Sequence, residues 1–178
     1  MRLEEKTLEH KTVYKGLIVN VYMDRAELPN GKSARREVVD HPGGVAILPL
    51  LDNGEVVTVR QYRYPFGEVL LEVPAGKLDR GEAPEACALR ELEEEVGLVP
   101  GRLIPLGELY VSPGFCNEVI HLYLARDLRT VPRHPDEDEF LKVCSFPLDT
   151  LAEQAVRGEI KDAKTVAAVL RTKWLLNA

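Results

Sequence analysis

The stretch from Pro84 to Gly97 constrains the fold most, because its ends and its periodicity both specify a helix. Proline in the first turn loses no hydrogen bond, and glycine after the last periodic residue suits a left-handed cap. The spacing therefore predicts a helix over 84–96. At 100° per residue, with Glu91 as origin, Glu95 falls at about 40° and Glu94 at about 300°. Three carboxylates thus share one face. Leu89, Leu92 and Val96 fall between about 100° and 160° and form a separate apolar face, while Glu93 points elsewhere. Like charges at these spacings cost an isolated helix roughly 0.2–0.5 kcal/mol per pair, and the C-terminal end of a helix dipole disfavours anions. Residues that break local rules in this way mark a candidate functional site. Several carboxylate oxygens on one rigid face suit a hard divalent cation such as Mg²⁺.

Charge distribution agrees. The chain has 178 residues and a net charge of −6, but six of its acids are the glutamates at 82, 85, 91, 93, 94 and 95. Residues 136–139 form a second acidic run, and the remainder is slightly basic. No long Lys/Arg stripe appears, which argues against a nucleic-acid coat. No apolar run reaches the ~18 residues that a membrane span needs. The N-terminus is charged throughout and does not read as a secretory signal. Cys87, Cys116 and Cys144 are far apart and the four histidines are scattered, so neither a disulfide framework nor a zinc site is expected. A reducing, cytoplasmic setting fits this cysteine usage.

Turn signals divide the rest. Leu28-Pro29-Asn30-Gly31 reads as a hairpin between strands at 19–27 and 33–40. His41-Pro42-Gly43-Gly44 marks a boundary, giving a β-rich piece over 1–41 and a main domain over 42–178. Asp52-Asn53-Gly54 is a second hairpin signal, between 45–51 and 55–62. Further strands are expected at 68–73, 103–111, 118–125 and 140–146, with helices at 148–157 and 162–176. Strands with interspersed helices and no strict βαβ alternation indicate a mixed α/β sandwich.

Read as spacing, the central segment is Gly76-x5-Glu82-x7-Arg90-Glu91-Leu92-x-Glu94-Glu95-x-Gly97-Leu98. It resembles the Nudix box, and every fixed position matches. At average residue usage a chance match is on the order of 10⁻⁸ per starting position. The resemblance extends to Val59–Arg63, Leu71–Gly76, Ser112–Phe115, Asp136–Phe140 and Asp162–Thr165, which are similar to bacterial ADP-ribose pyrophosphatases. In that family a proline about sixteen residues past the box marks the ADP-ribose group, and Pro113 lies sixteen past Gly97.

The resemblance implies an α/β/α sandwich that cleaves a nucleoside diphosphate linked to another group. Carried over by position, Glu91, Glu94, Glu95 and the carbonyl of Ala75 would hold Mg²⁺, with Mn²⁺ or Zn²⁺ as substitutes. Arg90 would orient the glutamates, and Glu82 would position the loop or an outer metal. Gly76 and Gly97 would serve as backbone devices. Arg63 and Arg36 are candidate phosphate clamps, with Glu72, Pro113 and Gly114 also placed against substrate. A carboxylate in the acidic loop, Glu139 or alternatively Glu137, would take the proton from the attacking water, with Glu94 a further candidate catalytic group. Tyr14, Tyr22 and Tyr62 are candidate adenine clamps. The implied reaction converts ADP-ribose to AMP and ribose 5-phosphate in a homodimer built partly by the N-terminal piece. The rivals are another nucleoside diphosphate sugar, such as a GDP- or UDP-sugar, and a non-hydrolytic ligand sensor on the same fold. No nucleic-acid or membrane partner is expected.

Overall fold

The computed structural model describes residues 3–134 and 140–177. Two compact units emerge. One comprises the residues up to Gly43 together with Tyr110–Val119, and the other comprises Gly44–Leu109 with the chain from Ile120 onward.

In the first unit, β1 (Lys6–Glu9), β2 (Thr12–Lys15), β3 (Asn20–Glu27) and β4 (Ser33–Asp40) form one antiparallel sheet. The expected hairpin is present: β3 and β4 pair along their whole lengths, with Gly31 in the left-handed region at φ 79°. β1 and β2 were not anticipated. They share the other edge of β3 and are exposed throughout.

The second unit is a helix–sheet–helix sandwich. Its central sheet runs β8 (Ala75–Lys77), β5 (Gly44–Pro49), β10 (Val119–Thr130), β9 (Leu98–Tyr110), with β10 parallel to β5. A second sheet orders β11 (Lys142–Pro147), β6 (Glu55–Arg63), β7 (Glu68–Glu72), all antiparallel. Alternation along the central strands builds the layers. Val45, Ile47, Tyr123 and Ala125 join Cys87, Ala88, Leu92 and Val96 of α1 (Pro84–Val96) in one buried cluster. Ala46, Leu48, Leu122 and Leu124 join residues of α2 (Leu148–Val156) and α3 (Ala163–Asn177) in the other.

Two expectations are corrected here. The Asp52-Asn53-Gly54 turn forms, yet β5 and β6 do not make a hairpin ladder: a single bridge joins Leu50 to Val56 before they enter different sheets. Both edges of β5 are already taken, by β8 and β10, and all six of its residues are buried. An unbroken apolar run is what a strand covered on both faces requires. The second correction concerns α1. Glu91 and Glu95 are 6% and 2% exposed and lie within the buried arc, whereas Leu89 is 42% exposed. The acidic and apolar faces are not separate, because the helix seats its carboxylates against β8.

Candidate active site

α1 starts at Pro84 and ends where Gly97 turns left-handed, φ 65° and ψ 40°, its N–H capping the Glu93 and Leu92 carbonyls. Gly97 admits no side chain, since a Cβ there would lie 2.6 Å from the Val131 carbonyl oxygen.

On the inner face, Glu91 sits directly over Gly76 of β8, where a Cβ would overlap its carboxyl group. Glu95, one turn later, accepts the Ala75 N–H at 3.1 Å. Arg90 organises the outer side. Its Nη1 donates to Glu91 at 2.7 Å and to Glu94 at 3.0 Å. Its Nε and Nη2 donate to the two carboxylate oxygens of Glu82, each at 3.0 Å. Glu82 also accepts the Asp79 N–H at 3.0 Å, which closes the loop ahead of the helix. These bonds, the Arg90 pair first, hold the Glu82 carboxyl down at about 2, and the same pairing raises the Arg90 guanidinium further above its usual range. Cys87 is fully buried beside them, and burial first, then the Glu82 carboxylate, pushes its thiol up to about 12.

A second charged group lies on β6 and β7. Glu72 is 1% exposed and accepts Nε and Nη2 of Arg63, both at 2.7 Å. Burial alone would raise the Glu72 carboxyl, but Arg63 and Lys164 outweigh it and hold it below the ordinary range. The remaining face of Arg63 stays open, its side chain being 38% exposed.

The second unit thus holds Ala75, Gly76, Glu82, Arg90, Glu91, Glu94, Glu95, Arg63 and Glu72. Arg36 belongs to the N-terminal unit and pairs through Nε and Nη2 with Glu5. In that unit Pro113 and Gly114 line a cavity of about 370 Å³, with Tyr110, Phe115 and Asn117. Tyr22 is hydrogen-bonded to Asp40 and packed on His10, whereas Tyr14 and Tyr62 are more than half exposed. Glu137 and Glu139 lie outside the described residues. Among the described residues, no three His, Cys, Asp or Glu side chains converge as a ready metal cage. Lys164 of α3, which joins Glu72, and Asp162, which holds Lys164, were not singled out as site residues; their only signal was membership in the Asp162–Thr165 motif.

The NUDIX domain family model matches residues 40–169, most of the chain. The chain belongs to the Nudix family. A Bacillus subtilis protein named ADP-ribose pyrophosphatase is 43% identical over 99% of this chain and 97% of its own. A Bacillus methanolicus protein named methanol dehydrogenase activator is 42% identical, covering 93% and 91%. Among solved structures, an ADP compounds hydrolase superimposes with a TM-score of 0.87 over 99% of this chain and 97% of that one, at 24% identity. The shared architecture at that identity speaks for the Nudix fold, whose box here spans Gly76 to Leu98.

Proposed function

We propose that this Nudix protein hydrolyses ADP-ribose to AMP and ribose 5-phosphate, with Mg²⁺ as the metal. The observation that carries the reading is the seating of two buried glutamates, Glu91 and Glu95, on the β8 backbone, in a chain similar over almost its full length to an ADP-ribose pyrophosphatase. Arg90 fixes Glu91 and the Ala75 N–H fixes Glu95, so the two carboxylates are held in place on one face for a cation. The donor set fits the metal. It offers oxygen only, as Mg²⁺ prefers, and the absent Gly76 side chain leaves its place to a carboxylate.

In this reading Glu91, Glu94, Glu95 and the Ala75 carbonyl hold Mg²⁺, which when bound supplies charge neutralisation at the phosphoryl oxygens and a more acidic water. Arg90 keeps Glu91 and Glu94 at fixed separation and ties them to the Glu82 loop. Arg63 meets a phosphate through its open face while Glu72 holds its other side. Glu139, or Glu137, takes the proton as water attacks phosphorus, and the phosphoanhydride bond to AMP breaks. Pro113 and Gly114 contribute to substrate recognition from the cavity they line. Arg36 contributes only if it exchanges its Glu5 partner for phosphate. The protein works as a homodimer in which residues before about His41 help build the partner's site, a reading supported by the wholly exposed β1 and β2 with Leu8, Val13 and Tyr14. Its three free cysteines support a cytoplasmic setting.

The test is a panel of ADP-ribose, GDP-sugars and UDP-sugars, with Mg²⁺ and with chelator, read by nucleoside monophosphate release. ADP-ribose should give the highest kcat/KM, and chelator should abolish turnover. Glu95→Gln should cut kcat by orders of magnitude, whereas Glu93→Gln, on the exposed side of α1, should do little. Preference for a GDP- or UDP-sugar, or turnover that survives chelation, would overturn the assignment. Sedimentation showing a fully active monomer would refute the dimer.

A further inference from the structure

Asp162-Ala163-Lys164-Thr165 has no part in the chemistry above, yet among the described residues it forms the most densely bonded helix start. Asp162 is the N-cap of α3. Its carboxylate accepts the Thr165 N–H at 2.9 Å and the Thr165 hydroxyl at 2.5 Å. The Thr165 hydroxyl, fully buried, in turn accepts the Val73 N–H at 2.9 Å. Val73 lies two residues before Ala75, whose N–H meets Glu95. The other Asp162 oxygen accepts from Lys164 Nζ at 2.8 Å, and the same ammonium donates to Glu72 Oε2. Lys164 is 13% exposed and Glu72 1%, and the ion chain Arg63, Glu72, Lys164, Asp162 alternates in sign and opens to solvent at Arg63.

A cap alone needs Asp162, and a buried Arg63–Glu72 pair is already neutral; neither explains Lys164. Its effect is on direction. Glu72 faces Val59 across the β6–β7 ladder, and Arg63 stands four residues along the same face of β6. With Arg63 as its one cation, the Glu72 carboxylate would be free to rotate with the guanidinium toward solvent. Lys164 holds Oε2, the same oxygen that Arg63 Nη2 meets, which leaves Arg63 a single bidentate geometry. Three residues upstream, Lys161 makes the superficially similar contact with Glu68, but both side chains are largely exposed, and exposed pairs of that kind hold little.

We propose that Lys164, held by Asp162, is a positioning residue for substrate binding: through Glu72 it fixes the direction in which Arg63 meets the substrate diphosphate. This rests on the reading of Arg63 as a phosphate clamp. The experiment measures kcat and KM for ADP-ribose in Arg63→Ala, Lys164→Met, the double variant, Asp162→Asn and Lys161→Met. Lys164→Met should raise KM about tenfold with kcat little changed, the signature of lost binding rather than lost chemistry. The double variant should be no worse than Arg63→Ala, because both changes remove one interaction. Asp162→Asn keeps the cap but removes the charge that holds Lys164, so it should raise KM in the same sense, and it carries the test if Lys164→Met does not fold. Lys161→Met should match the parent. If Arg63→Ala leaves KM unchanged, the clamp reading itself falls. If Arg63→Ala raises KM but Lys164→Met and Asp162→Asn do not, or if the losses add in the double variant, the positioning role alone is refuted.

Discussion

Gly76→Ala separates the geometry of the metal-facing carboxylate from the stability of the fold. Gly76 lies in β8 opposite Val45, and its φ is not in the left-handed region, so the backbone accepts alanine. The obstacle is Glu91, whose carboxyl group occupies the space of the new Cβ. A Cβ would lie 1.9 Å from the carboxyl, so to reach ordinary van der Waals contact the carboxyl must retreat by about 1.5 Å, and a misplacement of even about 1 Å costs on the order of 10²-fold in rate. Glu91 is nearly buried and bonded to Arg90 at 2.7 Å, so the retreat also strains a charged hydrogen bond, worth roughly 1–3 kcal/mol. The carboxyl is the far end of a flexible side chain, so the fold survives. The expected result is a loss of about 10²-fold in kcat at saturating Mg²⁺ and ADP-ribose, with urea unfolding free energy lowered by roughly 1–3 kcal/mol. Combining Gly76→Ala with Glu91→Asp, which withdraws the carboxyl by one methylene, should cost less than the two single changes summed. A Gly76→Ala enzyme within twofold of the parent would show that the position of Glu91 over β8 is irrelevant to turnover.

Gly97→Ala should act on stability instead. It places a side chain at φ 65° and within 2.6 Å of the Val131 carbonyl, at a cost of roughly 2–4 kcal/mol in urea unfolding; a loss under about 1 kcal/mol would contradict the cap geometry. Glu82 has a folded-state pKa held down to about 2 from an ordinary value of 4.5, so its stabilisation is complete above 4.5 and is lost as pH falls toward 2. Glu82→Gln should therefore be less stable than the parent at neutral pH, by about 1–2 kcal/mol once solvent screening is allowed for, and the gap should close between pH 4.5 and 2. A gap that stays constant with pH would disprove the ionic role. Cys87, buried and with its thiol raised to about 12, should resist iodoacetamide in the native protein and label only on unfolding. Labelling of native Cys87 at pH 8 would mean that α1 opens locally.

Much of the site was legible because its rules are short-range. Pro84 and Gly97 announced both ends of α1, the 3.6-residue period put Glu91 and Glu95 together, and the residues from Gly76 to Leu98 carried the resemblance to the Nudix box. The burial of those two glutamates was not legible. Periodicity shows which side chains share a face, but which face is covered depends on what packs there, and here β8 offers an N–H and a missing Cβ to the carboxylates. For the same reason Leu89, apolar and in phase with Val96, ended at the surface. The turn at Asp52-Asn53-Gly54 is local chemistry and was readable; that its two strands part into separate sheets follows from β10 and β8 claiming β5 first. Lys164 and Glu72 stand 92 positions apart, and no period or cap links them. The sequence by itself determined the helix, its caps and the order of its carboxylates, since these depend on contacts within about one turn. Only the tertiary structure decided which charges meet, because burial makes a charge seek whatever partner packing brings to it.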